Sequence, residues 1–156
     1  MLDPFSLEVP LNDGGVITMR WHKDGFTIDT ARGRIDMPTV IAWLRTTYWA
    51  EQRSPAAIEL SWRMSPVVLG LYRGAEMVGC ARVVTDFTVV AYLADVFVRP
   101  DSRGLGLGAW LVETALGHPR LQHLLWLLHT RDAHALYRRF GFEDVTSTLM
   151  HRPRQG

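Results

Sequence analysis

Apolar and polar positions change their spacing along the chain, and each spacing predicts a different element. Turn residues at positions 12–15 and 24–25 border two short runs of β type, VITMRW and FTIDT, which predict a hairpin or edge strands. From Asp36 the apolar positions in DMPTVIAWLRTTYWA recur three and four residues apart, as in an amphipathic helix with Asp36 as its N-cap. Ser54-Pro55 is a typical helix start and Ser65-Pro66 a typical end, so a second helix is predicted between them.

The rest of the chain predicts five further strands and two further helices. VVLGLYR, EMVGCARVV and VVAYLADVFV predict three successive strands, and the third is apolar enough to be buried on both faces. A glycine-rich loop at 103–108 leads into a helix that ends near Gly117. LLWLLHT then predicts a strand, RDAHALYRRF a short helix closed by Gly141, and FEDVTSTLM a final strand. This order predicts a mixed α/β (α+β) domain and not a doubly wound sheet.

Length, composition and charge narrow the class of protein. A chain of 156 residues predicts one domain over 1–156, with residues 1–25 as an N-terminal extension carrying edge strands. A hydrophobic content of 47% with 21% charged residues is typical of globular proteins, and a net charge of +1 argues against a nucleic-acid partner. The single Cys80, the absence of a signal-peptide pattern and the absence of a membrane-length apolar run predict a soluble cytoplasmic protein without a membrane partner.

The segment RGLGLG, residues 103–108, is the clearest candidate ligand site. Glycines directly before a helix expose backbone N–H groups and the positive end of the helix dipole, which together suit a pyrophosphate. A P-loop requires Gly-Lys-Ser/Thr, and no lysine follows Lys23. A dinucleotide fingerprint requires Gly-x-Gly-x-x-Gly, whereas the spacing here is Gly-x-Gly-x-Gly. Neither of these nucleotide sites is therefore predicted.

Two motifs in this order resemble those of the GNAT superfamily of N-acetyltransferases. RGLGLG matches the family's Arg-x-x-Gly-x-Gly acetyl-CoA signature, and AHALYRRFGFE further along the chain is similar to its second signature. The resemblance covers roughly residues 26–150 and extends to a bacterial branch of small GNAT proteins. It implies the GNAT fold, a mostly antiparallel sheet with a splayed parallel strand pair flanked by helices. It also implies an acyltransferase that moves an acetyl group from acetyl-CoA to an amine.

The resemblance further implies which residues contact acetyl-CoA. Backbone groups of Val96, Phe97 and Val98 would hold the pantetheine arm as a false strand. Tyr137 would return a proton to the departing thiolate. Thr130 stands where many members carry Asn, so its pantetheine contact differs from theirs. The implied cofactor contacts are Val96, Phe97, Val98, Arg103, Gly104, Leu105, Gly106, Leu107, Gly108, Thr130, Ala133 and Tyr137.

Asp95 interrupts the apolar run VVAYLADVFV and is the candidate catalytic base. A carboxylate within such a strand is costly unless it is paired, hydrated or used. It could take the amine's proton directly or through water, orient the amine, cap a loop, or pair with an arginine such as Arg82. His129 and His134 suggest a base or a metal ligand, but His134 is expected to lie on the surface of its helix. No two histidines have a zinc spacing with a third ligand, so no metal is expected.

The acceptor side of the site is predicted in the aromatic region of the two early helices. Trp43 and Trp62 are expected to pack against the sheet, whereas Tyr48, Trp49 and Glu51 predict an aromatic, acidic pocket for a cationic amine. Three functions stay open. An N-acetyltransferase acting on a small molecule or peptide is favoured over an acyl-CoA-binding regulatory domain without turnover and over an enzyme that modifies a macromolecule. A homodimer is also open, since the final strands of this fold often supply an interface.

Overall fold

The computed structural model describes residues 18–154, and the strands among them form one six-stranded sheet. The strands stand in the spatial order β1-β2-β3-β4-β5-β6, all antiparallel to their neighbours except the last pair. The predicted turn at 12–15 and the start of VITMRW lie outside the described residues. The elements are β1 (Arg20–Lys23), β2 (Phe26–Asp29), α1 (Met37–Leu44), α2 (Pro55–Met64), β3 (Val67–Arg73), β4 (Glu76–Thr85), β5 (Val90–Val98), α3 (Leu107–Leu116), β6 (Leu125–Leu127) and α4 (His134–Arg138).

Side-chain caps begin the first two helices where the sequence predicts them. The carboxylate of Asp36 accepts a hydrogen bond from the N–H of Thr39 at the start of α1, and the hydroxyl of Ser54 accepts one from Ala57 at the start of α2. The prediction for α1 was too long, because this helix ends at Leu44. The hydroxyls of Thr46 and Thr47 donate to backbone carbonyls three residues earlier, an alternative to the helical bonding of the next turn. A turn over 45–53 therefore replaces the predicted second half of the helix.

Helices cover both faces of the sheet, and the two faces hold separate clusters of buried residues. On one face α3 contributes Leu111 and Val112 to a cluster with β3, β4 and the start of β5. On the other face α1 and α2 contribute Leu44 and Trp62, which confirms the predicted packing of Trp62. Trp43 is half-buried and stacks on Phe97 of β5, with ring centroids 5.2 Å apart. The sheet thus lies between two layers of helices. Helices α1 and α2 form the layer on the side where the acceptor was predicted.

Strands β5 and β6 are parallel and separate after a short contact. They pair only where residues 90–92 face residues 125–127. The rest of β5, residues 93–98, has no partner on that side among the described strands. This arrangement confirms the predicted mixed sheet with a splayed parallel pair.

A bulge in β5 changes which face its side chains reach. Arg82 of β4 pairs with Ala94 and Cys80 pairs with Phe97, so two residues of β5, Asp95 and Val96, stand opposite one residue of β4. The backbone of Asp95 is left-handed, with φ of 55°, a conformation that Asp tolerates better than most side chains. Before the bulge Leu93 belongs to the cluster under α3, and after it Phe97 belongs to the cluster under α1 and α2. In a regular strand Leu93 and Phe97, four positions apart, would lie on the same face of the sheet.

The predicted final strand does not form. No residue from 141 to 154 is in a strand, although the structure describes all of them, and positions 143–154 are exposed. The segment FEDVTSTLM is rich in acidic and hydroxyl side chains and has no apolar face that the core covers, which removes the main reason for it to join the sheet. Gly141 has φ of 83° after α4, as a helix-ending glycine does. Within residues 18–154 no helix has the length and apolarity needed to cross a membrane.

Candidate active site

A cleft of about 1110 Å³ opens where β5 and β6 separate. Its walls contain every sequence-predicted site residue except Leu105, Glu51 and His134. Leu105 is 59% exposed at the outer side of the glycine loop. Glu51 is also exposed, in the turn after α1, and its carboxylate is therefore not part of the predicted acidic pocket. The structure brings the remaining predicted residues together from four stretches of the chain, 48–49, 95–98, 103–108 and 129–137.

The glycine loop leaves the start of α3 open toward the cleft. Gly104 and Gly106 have φ of 84° and 74°, conformations that favour glycine, and a Cβ at either position would face open space. Gly106 is the N-cap of α3 and no side chain in the described part of the chain caps this helix, so its first N–H groups are available to a ligand. Arg103 donates through Nε to the carbonyl of Val98 and lies over the ring of Phe97, which ties the loop to the end of β5. An anion at this helix start meets both N–H donors and the positive end of the dipole.

The free edge of β5 forms a second part of the cleft. Val96, Phe97 and Val98 line it beyond the point where β6 turns away. Val96 and Val98 pack toward the α3 face and Phe97 toward the opposite face, so these side chains are held on both sides of the sheet. A strand without a partner can bind an extended chain that carries its own amide groups.

Asp95 is clamped by two guanidinium groups and an indole. One of its oxygens, Oδ2, accepts a hydrogen bond from Nε of Arg82 at 2.6 Å. The other, Oδ1, accepts bonds from Nη1 of Arg53 at 3.1 Å and from Nε1 of Trp49 at 3.2 Å. The carboxylate is only 1% exposed. Of the alternatives open from the sequence, the structure shows the pairing with Arg82, and both oxygens are occupied by donors.

Sequence reasoning missed Arg53 and its contact with Asp95. Arg53 lies 42 residues before Asp95, on the turn that follows α1. The position of that turn depends on the early end of α1, and the face of Asp95 depends on the bulge. Neither feature has a local signal in the sequence. The acidic break in an apolar strand was the one available indication that a cationic partner exists.

Tyr137 lies on α4 at the opposite wall and is half-buried. Burial raises the pKa of its hydroxyl to about 12, so this group stays protonated at neutral pH and can donate a proton. Phe142 contacts the ring edge to face, at 5.8 Å between centroids. Thr130 accepts a hydrogen bond from the N–H of Ala133 just before α4, so its hydroxyl helps to place the helix that carries Tyr137.

Tyr48 is in the cleft, but its ring is already covered. The guanidinium of Arg131 lies 3.8 Å from the ring centroid, and the Tyr48 hydroxyl accepts a hydrogen bond from the Arg131 N–H at 2.9 Å. The same hydroxyl donates to Asp132 at 3.4 Å. Trp49 meets Tyr48 edge to face. The predicted cation–π pocket thus has one aromatic face occupied by a cation of the chain itself.

A tyrosine–histidine pair lies near Asp95, and sequence reasoning found only the histidine. The hydroxyl of Tyr92 on β5 lies 2.6 Å from Nδ1 of His129, just after β6. Burial raises the pKa of Tyr92. The pair links the two strands where they begin to separate. Tyr92 lies within the apolar run VVAYLADVFV, where no local signal sets it apart from the residues of a buried strand.

The cleft concentrates positive charge in a chain whose net charge is +1. Six arginines and two aspartates line it, a formal excess of four positive charges. A cleft with this excess of positive charge attracts anionic ligands. The charged lining residues are Arg53, Arg82, Arg103, Arg139, Arg152, Arg154, Asp95 and Asp132.

Comparison with known proteins decides the family. The sequence model of the Acetyltransferase (GNAT) family matches residues 37–142, which include both motifs and the whole of β5. The chain belongs to the GNAT family. The recognition from RGLGLG and AHALYRRFGFE and the expected GNAT fold are both confirmed.

Solved and curated relatives agree with this assignment. A proposed GNAT acetyltransferase of Xanthomonas campestris pv. campestris is 33% identical, covers 83% of this GNAT chain and 93% of its own, and superimposes with a TM-score of 0.78. A proposed acetyltransferase of Gibberella zeae is 26% identical over 80% of this chain and 82% of its own. A Clostridium acetobutylicum protein solved with acetyl-CoA shares the fold, with a TM-score of 0.62, 13% identity, and coverage of 81% and 96%. The family model and the first two of these relatives identify this GNAT protein as a member of an acetyltransferase family.

Proposed function

We propose that this GNAT protein transfers the acetyl group of acetyl-CoA to an amine nitrogen of a small molecule or peptide. The observation that carries the proposal is the meeting of three features in one cleft: an uncapped helix start after the glycine loop, an unpaired edge of β5, and a protonated Tyr137. A cofactor with a pyrophosphate, an amide-bearing arm and a thioester needs these three features in this order.

The described residues fit acetyl-CoA in charge and shape. CoA carries roughly four negative charges on its phosphates, which match the excess of arginine in the cleft. The N–H groups after Gly106 would bind the pyrophosphate, and Val96 to Val98 would pair with the pantetheine arm. Arg139, exposed at the end of α4, would meet the phosphates from the opposite wall. The thioester would then lie near the bulge at Asp95.

The chemistry requires one proton acceptor and one proton donor. Acetyl-CoA supplies the acetyl thioester; the amine nitrogen forms a bond to the acetyl carbon, the carbon–sulfur bond breaks, and the electron pair leaves with sulfur. Tyr137 would donate its hydroxyl proton to that thiolate and regain one from water. The amine must lose a proton to a base before or during the attack, since an ammonium has no free electron pair.

Asp95 is better placed to position the acceptor than to take its proton. Both of its oxygens already accept hydrogen bonds, two of them from guanidinium groups, and it is almost inaccessible. Tyr92 and His129 offer a route instead: the Tyr92 oxygen would accept the amine's proton while its own passes to Nδ1 of His129. Imidazole is the commonest general base in proteins.

The test is an assay in two parts. Acetyl-CoA binding is measured by calorimetry, and release of the CoA thiol is then measured across a panel of amines. Binding together with amine-dependent thiol release supports the enzyme. Binding without turnover on any small amine or peptide favours a regulatory domain or a macromolecular acceptor, and absence of binding contradicts the proposal.

Gly106→Ala tests the pyrophosphate site. We expect acetyl-CoA affinity to fall by about tenfold or more, because a methyl group at φ of 74° strains the loop and stands at the start of α3. Gly74→Ala is the matched control, since Gly74 is also left-handed, at φ of 59°, with open space around its Cβ, but lies in the β3–β4 turn outside the cleft. Calorimetry measures both. Equal affinities of the two variants for acetyl-CoA would show that the glycine loop does not bind it.

A further inference from the structure

Two guanidinium groups share one carboxylate at the floor of the cleft. Among the described residues, the only acidic partner of Arg53 and of Arg82 is Asp95. The side chains are 20% and 10% exposed, so both positive charges are largely shielded from water. One negative charge balances only one of them. The floor of the cleft therefore carries a half-buried positive charge that is not neutralised.

The uncompensated charge is accessible at Arg53. Arg82 lies deeper, with Nε on Asp95 and Nη1 on the hydroxyl of Ser65. Arg53 reaches Asp95 through Nη1 alone, and its Nη2 and Nε have no acceptor among the described residues. A guanidinium with two neighbouring free N–H donors binds a carboxylate in a fixed, two-bonded geometry.

Other charged and titratable groups around Arg53 do not cancel its charge. Tyr92 and His129 stand on the sheet side, and Asp132 accepts from Tyr48 and forms no ion pair with Arg53 among the described residues. Arg152 and Arg154 from the C-terminal segment add further positive charge. Glu51, the nearby acid that the sequence suggested, is not in the cleft.

The position of Arg53 separates it from the cofactor side. The glycine loop and residues 96–98 lie at the C-terminal end of β5, whereas Arg53 bonds Asp95 at the bulge, on the α1–α2 face. An arm running along β5 from the loop would end at this bulge. The space beyond it, between Trp49, Arg53 and Tyr92, is where the acceptor amine must reach the thioester.

We propose that Arg53, supported by Arg82 through Asp95, binds a carboxylate of the acceptor, so that the substrates are amines carrying a carboxylate near the nitrogen, as amino acids do. This inference rests on the proposed function and replaces the cationic acceptor expected from the sequence. Trp49, 37% exposed and fixed through its Nε1 bond to Asp95, supplies an apolar wall beside the charge. Amino acids with apolar or aromatic side chains therefore fit best.

A kinetic comparison of matched substrates tests the proposal. The kcat/KM for leucine, methionine, phenylalanine and tryptophan is compared with that for their carboxamides, which keep the amine and lose the anion. We expect roughly 10- to 100-fold preference for the acids. Arg53→Gln should remove most of this preference and Arg53→Lys part of it. Arg45→Gln, at an exposed position on the same turn, is the control and should keep it.

A binding experiment keeps the inference testable if turnover fails. Calorimetry on the complex with CoA measures affinity for N-acetyl-phenylalanine and for its carboxamide, which resemble the products. Tighter binding of the acid, lost in Arg53→Gln, supports the proposal even without activity. Equal binding of the two, or acetylation of the carboxamides as fast as the acids, overturns it and leaves the acetyltransferase proposal intact. Absence of acetyl-CoA binding would instead overturn the proposed function itself.

Discussion

Tyr137→Phe is expected to lower kcat by roughly 100- to 1000-fold in the amine acetylation assay, while acetyl-CoA affinity changes little. The substitution removes the proposed proton donor to the thiolate and leaves the ring that packs against Phe142. A water at the same place would lack the fixed position that the half-buried ring gives the hydroxyl. Steady-state kinetics with calorimetry separates the effect on kcat from any effect on binding.

Tyr72→Phe is the control for this substitution. Tyr72 is also buried, with a pKa raised to about 12 by burial, but its hydroxyl donates to the carbonyl of Arg34 away from the cleft. Its loss should reduce stability and leave kcat nearly unchanged. If both variants lost the same fraction of activity, the effect at Tyr137 would be general destabilisation and not proton transfer.

The raised pKa of Tyr137 also predicts the alkaline side of the pH profile. Donation requires the protonated hydroxyl, which is present below its pKa and lost as pH rises through it. Since burial moves this pKa to about 12, kcat should show no decrease assignable to Tyr137 between pH 8 and roughly pH 10. A tyrosine with its ordinary pKa would be half ionised near the upper end of that range. A decline of kcat with a midpoint there would contradict the proposed environment of Tyr137.

Asp95→Asn is expected to destabilise the fold by about 3 to 5 kcal/mol, which lowers Tm by on the order of 10 °C. The change removes the only acidic partner that Arg82 and Arg53 have within residues 18–154 and leaves two shielded guanidinium groups uncompensated. An amide oxygen can still accept one bond, but it carries no charge to offset theirs. Urea unfolding followed by circular dichroism gives the free energy of unfolding.

Asp144→Asn provides the same substitution in an exposed ion pair. Asp144 lies 2.6 Å from Arg138, the same separation as between Asp95 and Arg82, but both side chains of this pair are more than half exposed. We expect a loss of about 1 kcal/mol or less. If Asp95→Asn cost no more than Asp144→Asn, the clamp would contribute little and its charge would not be shielded.

Local signals predicted much of the fold because their physical causes are local. Asp36 and Ser54 start helices through bonds to residues three positions away, and Ser65-Pro66 stops one. The glycines of RGLGLG predicted an open helix start because only they adopt its backbone easily. The apolar run of β5 predicted a central strand, and the two motifs predicted the family.

Two local predictions, the length of α1 and the final strand, were wrong. Competing hydrogen bonds ended the helix, and the strand had no apolar face to bury. The apolar spacing of 36–50 continues past Leu44, but the hydroxyls of Thr46 and Thr47 bond back to the chain and the helix ends. FEDVTSTLM has β-branched residues that predict a strand, yet no residue of 18–154 buries it and it stays outside the sheet. Strand propensity without a face to bury did not decide the structure.

The sequence by itself determined the family, the order of the elements as far as α4, the glycine loop and the presence of Tyr137 in the second motif. Only the tertiary structure decided how the acceptor side is charged. The bulge turns Asp95 toward α1 and α2, and the turn at 45–53 brings Arg53 and Trp49 to it from 42 and 46 residues away. A bulge depends on the pairing of two strands, and an ion pair on where two distant segments meet. Neither follows from the spacing of residues along one segment, because both are set by contacts that form only when the sheet and its helices pack together.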